Sequence, residues 1–281
     1  MKMKKRAKYL LACALAVCII LSVCVCLVVT TAAEYSGSCG DSATYSFSSG
    51  TLTISGSGDM KSYSETTVPW ADYRTRINKV VVSEGVASVG YYAFANCSEL
   101  TEVTLSSSVV SIGRFAFAND GKLSKITLPG ALKKLGSHAF LNCTSLTAAS
   151  VPSGVETLSP SVFDGCSALT SVTLPATLKT VGASAFEDCS ALVSVVIPDN
   201  VVSVGSYAFE NCSSLTSVRL HATATSFGDN MFNGCSATLV VTCPEGSAAD
   251  LYCKALNITV KHEGLSDGGT DPDPGDWGPW F

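Results

Sequence analysis

Hydrophobic positions along most of this chain return with a period of 23 residues. Aligned on Phe94, Phe117, Phe140, Phe163, Phe186, Phe209 and Phe232, the segment 77–237 divides into seven copies of one unit. Apolar residues hold positions 1, 4, 6, 10, 13, 17 and 18, as in the copy from Leu169 to Ala191, LTSVTLPATLKTVGASAFEDCSA. The spacing of two between positions 4 and 6 predicts a short strand whose alternate residues face away from the core. In that copy Val172 and Leu174 point in, and Ser171 and Thr173 point out. Position 7 is proline at Pro129, Pro152, Pro175 and Pro198, which ends a strand because proline brings no N–H to a ladder. Position 14 is glycine in six copies, which predicts a positive-φ turn or a tight backbone approach. The Ala-Phe pair at 17 and 18 then falls on a short helical or irregular arc.

A fixed period between 20 and 50 residues means stacked coils, none of which buries its apolar face alone. The predicted fold is an α/β-type solenoid of seven 23-residue coils, mainly short parallel strands with turns and short helical arcs. Its ends need covers, because a terminal coil exposes core and an unpaired strand edge. Residues 34–76 supply an N-terminal module, with a hairpin of Thr44–Phe47 and Thr51–Ser55 around Ser48-Ser49-Gly50. Trp70, Tyr73 and Ile77 are expected over the open end of the first coil. Residues 238–263 read as a C-terminal cap: a strand at Thr238–Thr242, a short helix at Ala248–Leu256 and a last strand at Ile258–Val260. Residues 264–281 are rich in Asp, Gly and Pro and read as a solvated spacer, with Trp277, Trp280 and Phe281 at its tip.

The first 33 residues have a different character. Lys2, Lys4, Lys5, Arg6 and Lys8 precede a near-continuous apolar run from Leu10 to Val29, followed by Thr30, Thr31, Ala32 and Ala33. This is the layout of a secretory signal peptide, with a cleavage site after Ala33. The apolar run is also long enough to span a bilayer, so an uncleaved signal anchor is the competing reading. Either way, basic charge on the N-terminal side leaves the repeats outside the cell.

The unit L-T-x-V-x-L-P-x-x-V-x-x-V-G-x-x-A-F-x-x-C-S-x over residues 77–237 resembles the leucine-rich repeat family, and within it the BspA-like class. The preceding Gly37-Ser38-Cys39-Gly40, TYSFSSGTLTISGSG and Val68-Pro69-Trp70 are similar to the entry module found ahead of such repeats. The resemblance implies a secreted or cell-surface, non-enzymatic adhesion or recognition protein whose partner is an extracellular protein or glycan. A structural spacer or scaffold, or an accessory domain of an extracellular enzyme system, is the alternative. Membrane contact is expected only through the N-terminal segment, if it is retained.

Charge sharpens this reading. Removal of the leader takes Lys plus Arg from 18 to 13 against 23 acids, a formal charge of −10. An acidic exported chain has no electrostatic footprint for nucleic acid. Catalytic chemistry finds no support: His138, His221 and His262 are scattered, and no nucleophile elbow, H-E-x-x-H helix or phosphate loop occurs. No cofactor or metal is expected. His138 and His221 read as surface filler.

Six cysteines share position 21: Cys97, Cys143, Cys166, Cys189, Cys212 and Cys235, with Asp120 at that place in the second copy. Coils about 4.8 Å apart lie inside the Cα window for a disulfide. Equivalent side chains of stacked coils run parallel, however, and a bridge needs converging Cβ atoms. The ladder therefore reads as buried free thiols, which behave as small apolar residues. For Cys243 and Cys253 two readings stand, a bridge stapling the cap or two free thiols.

The candidate binding face is the row of outward strand positions 3 and 5, where Lys79, Glu102, Thr104, Lys125, Thr127, Thr173 and Arg219 stand out. Tyr91, Tyr92, Phe115 and Tyr207 at positions 15 and 16 add the aromatic anchors that this row lacks.

Overall fold

A computed structural model describes residues 35–263; the leader and the Asp/Gly/Pro-rich tail lie outside the described residues. The N-terminal module is an antiparallel meander of β1 (Tyr35–Ser38), β2 (Gly40–Ser48) and β3 (Thr51–Met60). A 3₁₀ turn at Ala71–Arg76 leads into the repeats. Coil 1 holds β4 (Lys79–Val82) and β5 (Val86–Val89), and coil 2 holds β6 (Glu102–Leu105) and β7 (Ser111–Ile112). Coil 3 contributes only β8 (Lys134–Leu135). Coil 4 has β9 (Ala148–Ser150) and β10 (Thr157–Leu158), and coil 5 has β11 (Ser171–Thr173) and β12 (Thr180–Val181). Coil 6 has β13 (Ser194–Val196) and β14 (Ser203–Val204), and coil 7 has β15 (Ser217–Arg219) and β16 (Ser226–Phe227). After them, β17 (Val240–Cys243) continues the stack as an eighth rung, followed by α1 (Ala248–Ala255) and β18 (Thr259–His262).

The strands form two parallel rows in which paired residues of successive coils are 23 positions apart, as in Lys79 to Glu102 and Thr180 to Ser203. β3 is long enough to start both rows, pairing β4 with one half and β5 with the other. A third ladder runs along the arcs. There the N–H groups of positions 16, 18 and 20 donate to the next coil, for example Tyr92 to Arg114 at 3.0 Å, Phe94 to Ala116 at 2.8 Å and Asn96 to Ala118 at 2.8 Å.

These arcs are turns, and no coil among the described residues contains an α-helix. The reason is the backbone at positions 16 and 20, where φ is positive in all seven coils: Tyr92 and Asn96 in the first, Asn230 and Gly234 in the last. A left-handed residue at every fourth position ends any helix, and Asn, Asp and Gly tolerate that conformation best. The glycines at position 14 do a different job. A Cβ on Gly136 would sit 2.6 Å from the backbone N of Arg114 and from the carbonyl carbon of Gly113, so glycine is there to let coils touch.

The interior is a single file of rings. Phe94 to Phe209 are each fully buried, and successive centroids lie 5.3 to 5.8 Å apart from Phe94 through Phe232. Trp70 extends the file, 5.9 Å above Phe94, with its indole N–H donating to the Ala93 carbonyl at 2.6 Å. Tyr73 and Ile77 are buried beside it. At the other end, Tyr252 of α1 packs 5.1 Å from Phe227 and donates to the Gly228 carbonyl at 2.9 Å. The helix is held by its Ser247 cap and by Asp250, which accepts from the Gly246 N–H and the Lys254 ammonium and lies 3.1 Å from the His262 ring. Hydrogen bonds from Lys254, His262 and Gly246 hold the Asp250 carboxyl well below the usual carboxylate range.

The second strand row is interrupted between coils 3 and 4, and the first row at coil 3 and again between β11 and β13. Coil 3 has no first-row strand, and in the second row β8 pairs back to β7 but not on to β10. Local chemistry explains the second-row break. Ser159 replaces the position-14 glycine, and Pro160 behind it restricts its backbone. Its hydroxyl, not its N–H, then donates to the Leu135 carbonyl, at 2.5 Å. The arc ladder and the Phe140–Phe163 contact cross the same junction unbroken.

Two outcomes follow. Amides of 125–127 and 155–159 are expected to deuterate earlier than those of Ser217–Arg219, which is paired on both sides, in exchange mass spectrometry, and equal protection would contradict the interrupted ladders. Phe163→Ala, in mid-stack, is expected to cost about 3–5 kcal/mol in urea unfolding. Phe232→Ala, at the last ring of the file, which is stacked on one side only, costs less.

Candidate functional site

The residues expected on one binding face divide between two faces. Lys79, Glu102, Thr104, Lys125, Thr127, Thr173 and Arg219 belong to the first-row face at positions 3 and 5, and its charges are largely spent on each other. Lys79 pairs with Glu102 at 2.6 Å and Arg219 with Glu263 at 2.7 Å. The outward first-row side chains of coils 3 to 6 are small and hydroxylic, apart from Lys125, Ala148 and Val196.

Tyr91, Tyr92 and Phe115 lie on the flank where the second row turns into the arc. Tyr92 stacks on Phe115 at 4.7 Å, and Phe115 stacks in turn on His138 at 4.5 Å. The Arg114 guanidinium sits 4.7 Å from the Phe115 ring centre. Tyr91 is 52% exposed beside them. Tyr207, four coils further on, makes no ring contact among the described residues and is not part of this cluster. The stack exists because position 16 is left-handed in each coil, which aims successive side chains in one direction. His138 is thus a member of an aromatic pile and not surface filler. Burial and the neighbouring Arg114 push its pKa down. The participation of Arg114 and His138 was visible in the sequence only as a shared register with Tyr91 and Tyr92.

The position-21 ladder is buried and unbridged. Cys143, Cys166, Cys189, Cys212 and Cys235 each donate a thiol hydrogen bond of 3.1–3.2 Å to the carbonyl of the phenylalanine 26 residues earlier. Burial pushes the thiols of Cys143, Cys166 and Cys189 well above their usual range, and that of Cys235 to about 11. Such thiols are poor nucleophiles. Cys39, Cys243 and Cys253 are also free, so of the two readings for the cap the unbridged one describes the structure.

Asp120 breaks the chemistry of this ladder. It is fully buried; its Oδ1 accepts the Cys97 N–H at 2.8 Å, and its Oδ2 has no partner. Burial raises its carboxyl well above the usual carboxylate range, against the pull of the Cys97 N–H and of Arg74. On the edge of the arc face Asn119 donates to Asn96 and Asn142 to Asn119, both at 3.0 Å, continuing the one-coil spacing with amides. Among the described residues no group of three His, Cys, Asp or Glu could hold a metal ion, and no helix is long and apolar enough to cross a membrane.

Short parallel strands, a buried aromatic file and a hydrogen-bonded arc ladder at a 23-residue pitch define a leucine-rich repeat solenoid. The model of the BspA type leucine rich repeat region matches residues 71–193 and 156–251 in six copies, and the chain belongs to that family. Among solved structures, a leucine-rich repeat protein of Treponema pallidum is similar at 20% identity over 79% of this chain and 96% of that one, with a TM-score of 0.46. One from Eubacterium ventriosum is 23% identical over 80% and 84%, with a TM-score of 0.39. A leucine rich cell surface protein of Faecalibacterium prausnitzii is 16% identical over 78% and 97%, with a TM-score of 0.35. Comparison with curated proteins finds no match.

Asp120 provides a pH test. Its folded pKa is raised, so the folded state keeps a proton that the unfolded state loses near pH 4. Stability therefore falls as pH rises above that point. Asp120→Asn keeps the acceptor for Cys97 and removes the ionisation. Its gain over the parent is expected to be small near pH 4 and to grow to about 1–3 kcal/mol by pH 8, read from urea midpoints. Asp164, raised to about 6 mainly by burial, is present in both proteins and drops out of the difference. A gain independent of pH would contradict the buried neutral acid.

Proposed function

We propose that this protein is an exported, surface-displayed recognition module that binds an extracellular protein or glycan and performs no chemistry on it. The observation that carries the reading is the flank cluster of Tyr91, Tyr92, Phe115, His138 and Arg114. Aromatic and arginine side chains dominate binding hot spots, because they bury large area at small entropic cost and keep a polar handle. Here they are pre-stacked on a rigid coil edge, so little ordering remains to be done when a partner docks. The first-row face, with Lys79 paired to Glu102 and Arg219 to Glu263 and its hydroxyls solvated, offers no comparable anchor. The basic and apolar leader supports export, and it is through this segment alone that a membrane is touched if the leader is retained.

A binding screen of the protein against extracellular matrix proteins and glycan arrays tests this. Capture of a ligand is expected, with at least a tenfold loss in the double variant Tyr91→Ser/Phe115→Asn. Asparagine suits position 115 because it accepts the left-handed backbone there. The first-face variant Thr127→Ala is expected to bind as the parent does. A ligand lost equally in both variants, or no capture at all, would overturn the assignment in favour of a spacer or scaffold.

A further inference from the structure

The structure assigns a second element to that recognition flank: a cationic groove, which we propose takes an anionic saccharide carrying carboxylate or sulfate groups. This rests on the recognition reading and narrows it. The groove, of about 530 Å³, follows the second-row strands across coils 1 to 4 and is lined by Tyr91, Arg114, Lys133, Lys134, Ser137 and Glu156. Its volume falls within the ~300–1,000 Å³ of small-ligand sites. It reaches the place where the second row is interrupted between β8 and β10.

Charge is the decisive feature. Several cations elsewhere along the solenoid are neutralised by an acid one coil away: Lys79 by Glu102, Lys122 by Glu99, Lys179 by Glu156. Among the described residues, Arg114, Lys133 and Lys134 make no ion pair, and all three are exposed. Glu156, the acid on the groove wall, is engaged by Lys179 at 2.7 Å. Asp59 lines a smaller recess of about 390 Å³ on the other side of the same two lysines. In a chain that is acidic as a whole, this places three unneutralised cations around one concavity, and ligands concentrate where such charges converge. The lining also selects a sugar over a peptide. The exposed Tyr91 ring provides a flat stacking wall for a pyranose. Serine hydroxyls then meet its hydroxyls, while the lysines and Arg114 meet its charge.

The test is a titration of the full chain with a sulfated heparin oligosaccharide, an oligogalacturonate, neutral dextran and poly-glutamate, at low and high salt. Both anionic saccharides are expected to bind, more weakly at high salt because exposed charges are screened, and dextran is not. Lys133→Gln/Lys134→Gln is expected to lose at least tenfold in affinity with an unchanged unfolding midpoint, while Lys125→Gln, which removes a cation from the other face, changes nothing. Binding of dextran as strongly, preference for poly-glutamate, or indifference to the Lys133 and Lys134 replacements would each overturn the proposal. A different ligand captured through Phe115 but untouched by the lysine variants would sink the groove and leave the recognition module standing. Failure of every probe and of the wider screen would remove both.

Discussion

Everything in this molecule depends on identical positions stacking on themselves one coil apart. Phenylalanine rings at 5.3–5.8 Å, thiols bonded to the carbonyls of the preceding rings and asparagines bonded to asparagines are all consequences of a period held at 23 residues. A one-residue slip in any coil would place polar arc residues over the aromatic file and break three ladders together. Stability in such a stack is a sum of coil and interface terms between neighbours. A local defect therefore weakens a junction without dissolving the whole.

Two such defects have a visible chemical cause, and they differ in kind. Asp120 puts an acid where the other coils carry a thiol donor, leaving the interior geometry intact but making it sensitive to protonation. Ser159-Pro160 leaves the interior chemistry intact and interrupts a surface ladder. The second lies beside the cationic groove. The aromatic file and arc ladder cross that junction without a gap, so the solenoid stays rigid while one of its faces opens. Recognition surfaces on repeat proteins have this character: the stack supplies stiffness, and departures from the repeat supply identity.

Much of the fold was legible in the sequence. The phenylalanine period marks the interior, the alternation at Val172 and Leu174 marks the strands, and parallel Cβ vectors argue for free thiols at Cys143 to Cys235. The arcs were less clear. Ala-Phe pairs are compatible with helix, and only the left-handed backbone at Tyr92 and Asn96 and their equivalents makes them turns. The glycines at position 14 left two explanations open, and the close approach of Gly136 to Arg114 and Gly113 chooses between them. The site was the least legible. Lys79 and Glu102 stand out in the sequence as separate charges and only the fold shows their ion pair, whereas Arg114, His138, Lys133 and Lys134 look unremarkable in a linear chain.

The sequence by itself determined the period, and through it which residues face in and which face out, because a hydrophobic repeat can be buried in only one register. The tertiary structure alone decided which outward residues meet. Positions 23 apart in the chain come within about 5 Å across coils, and at that range a lysine is either neutralised by a neighbouring glutamate, as Lys179 is, or left free beside an open groove, as Lys133 and Lys134 are. That difference rests on pairwise distances between coils, which no single repeat contains.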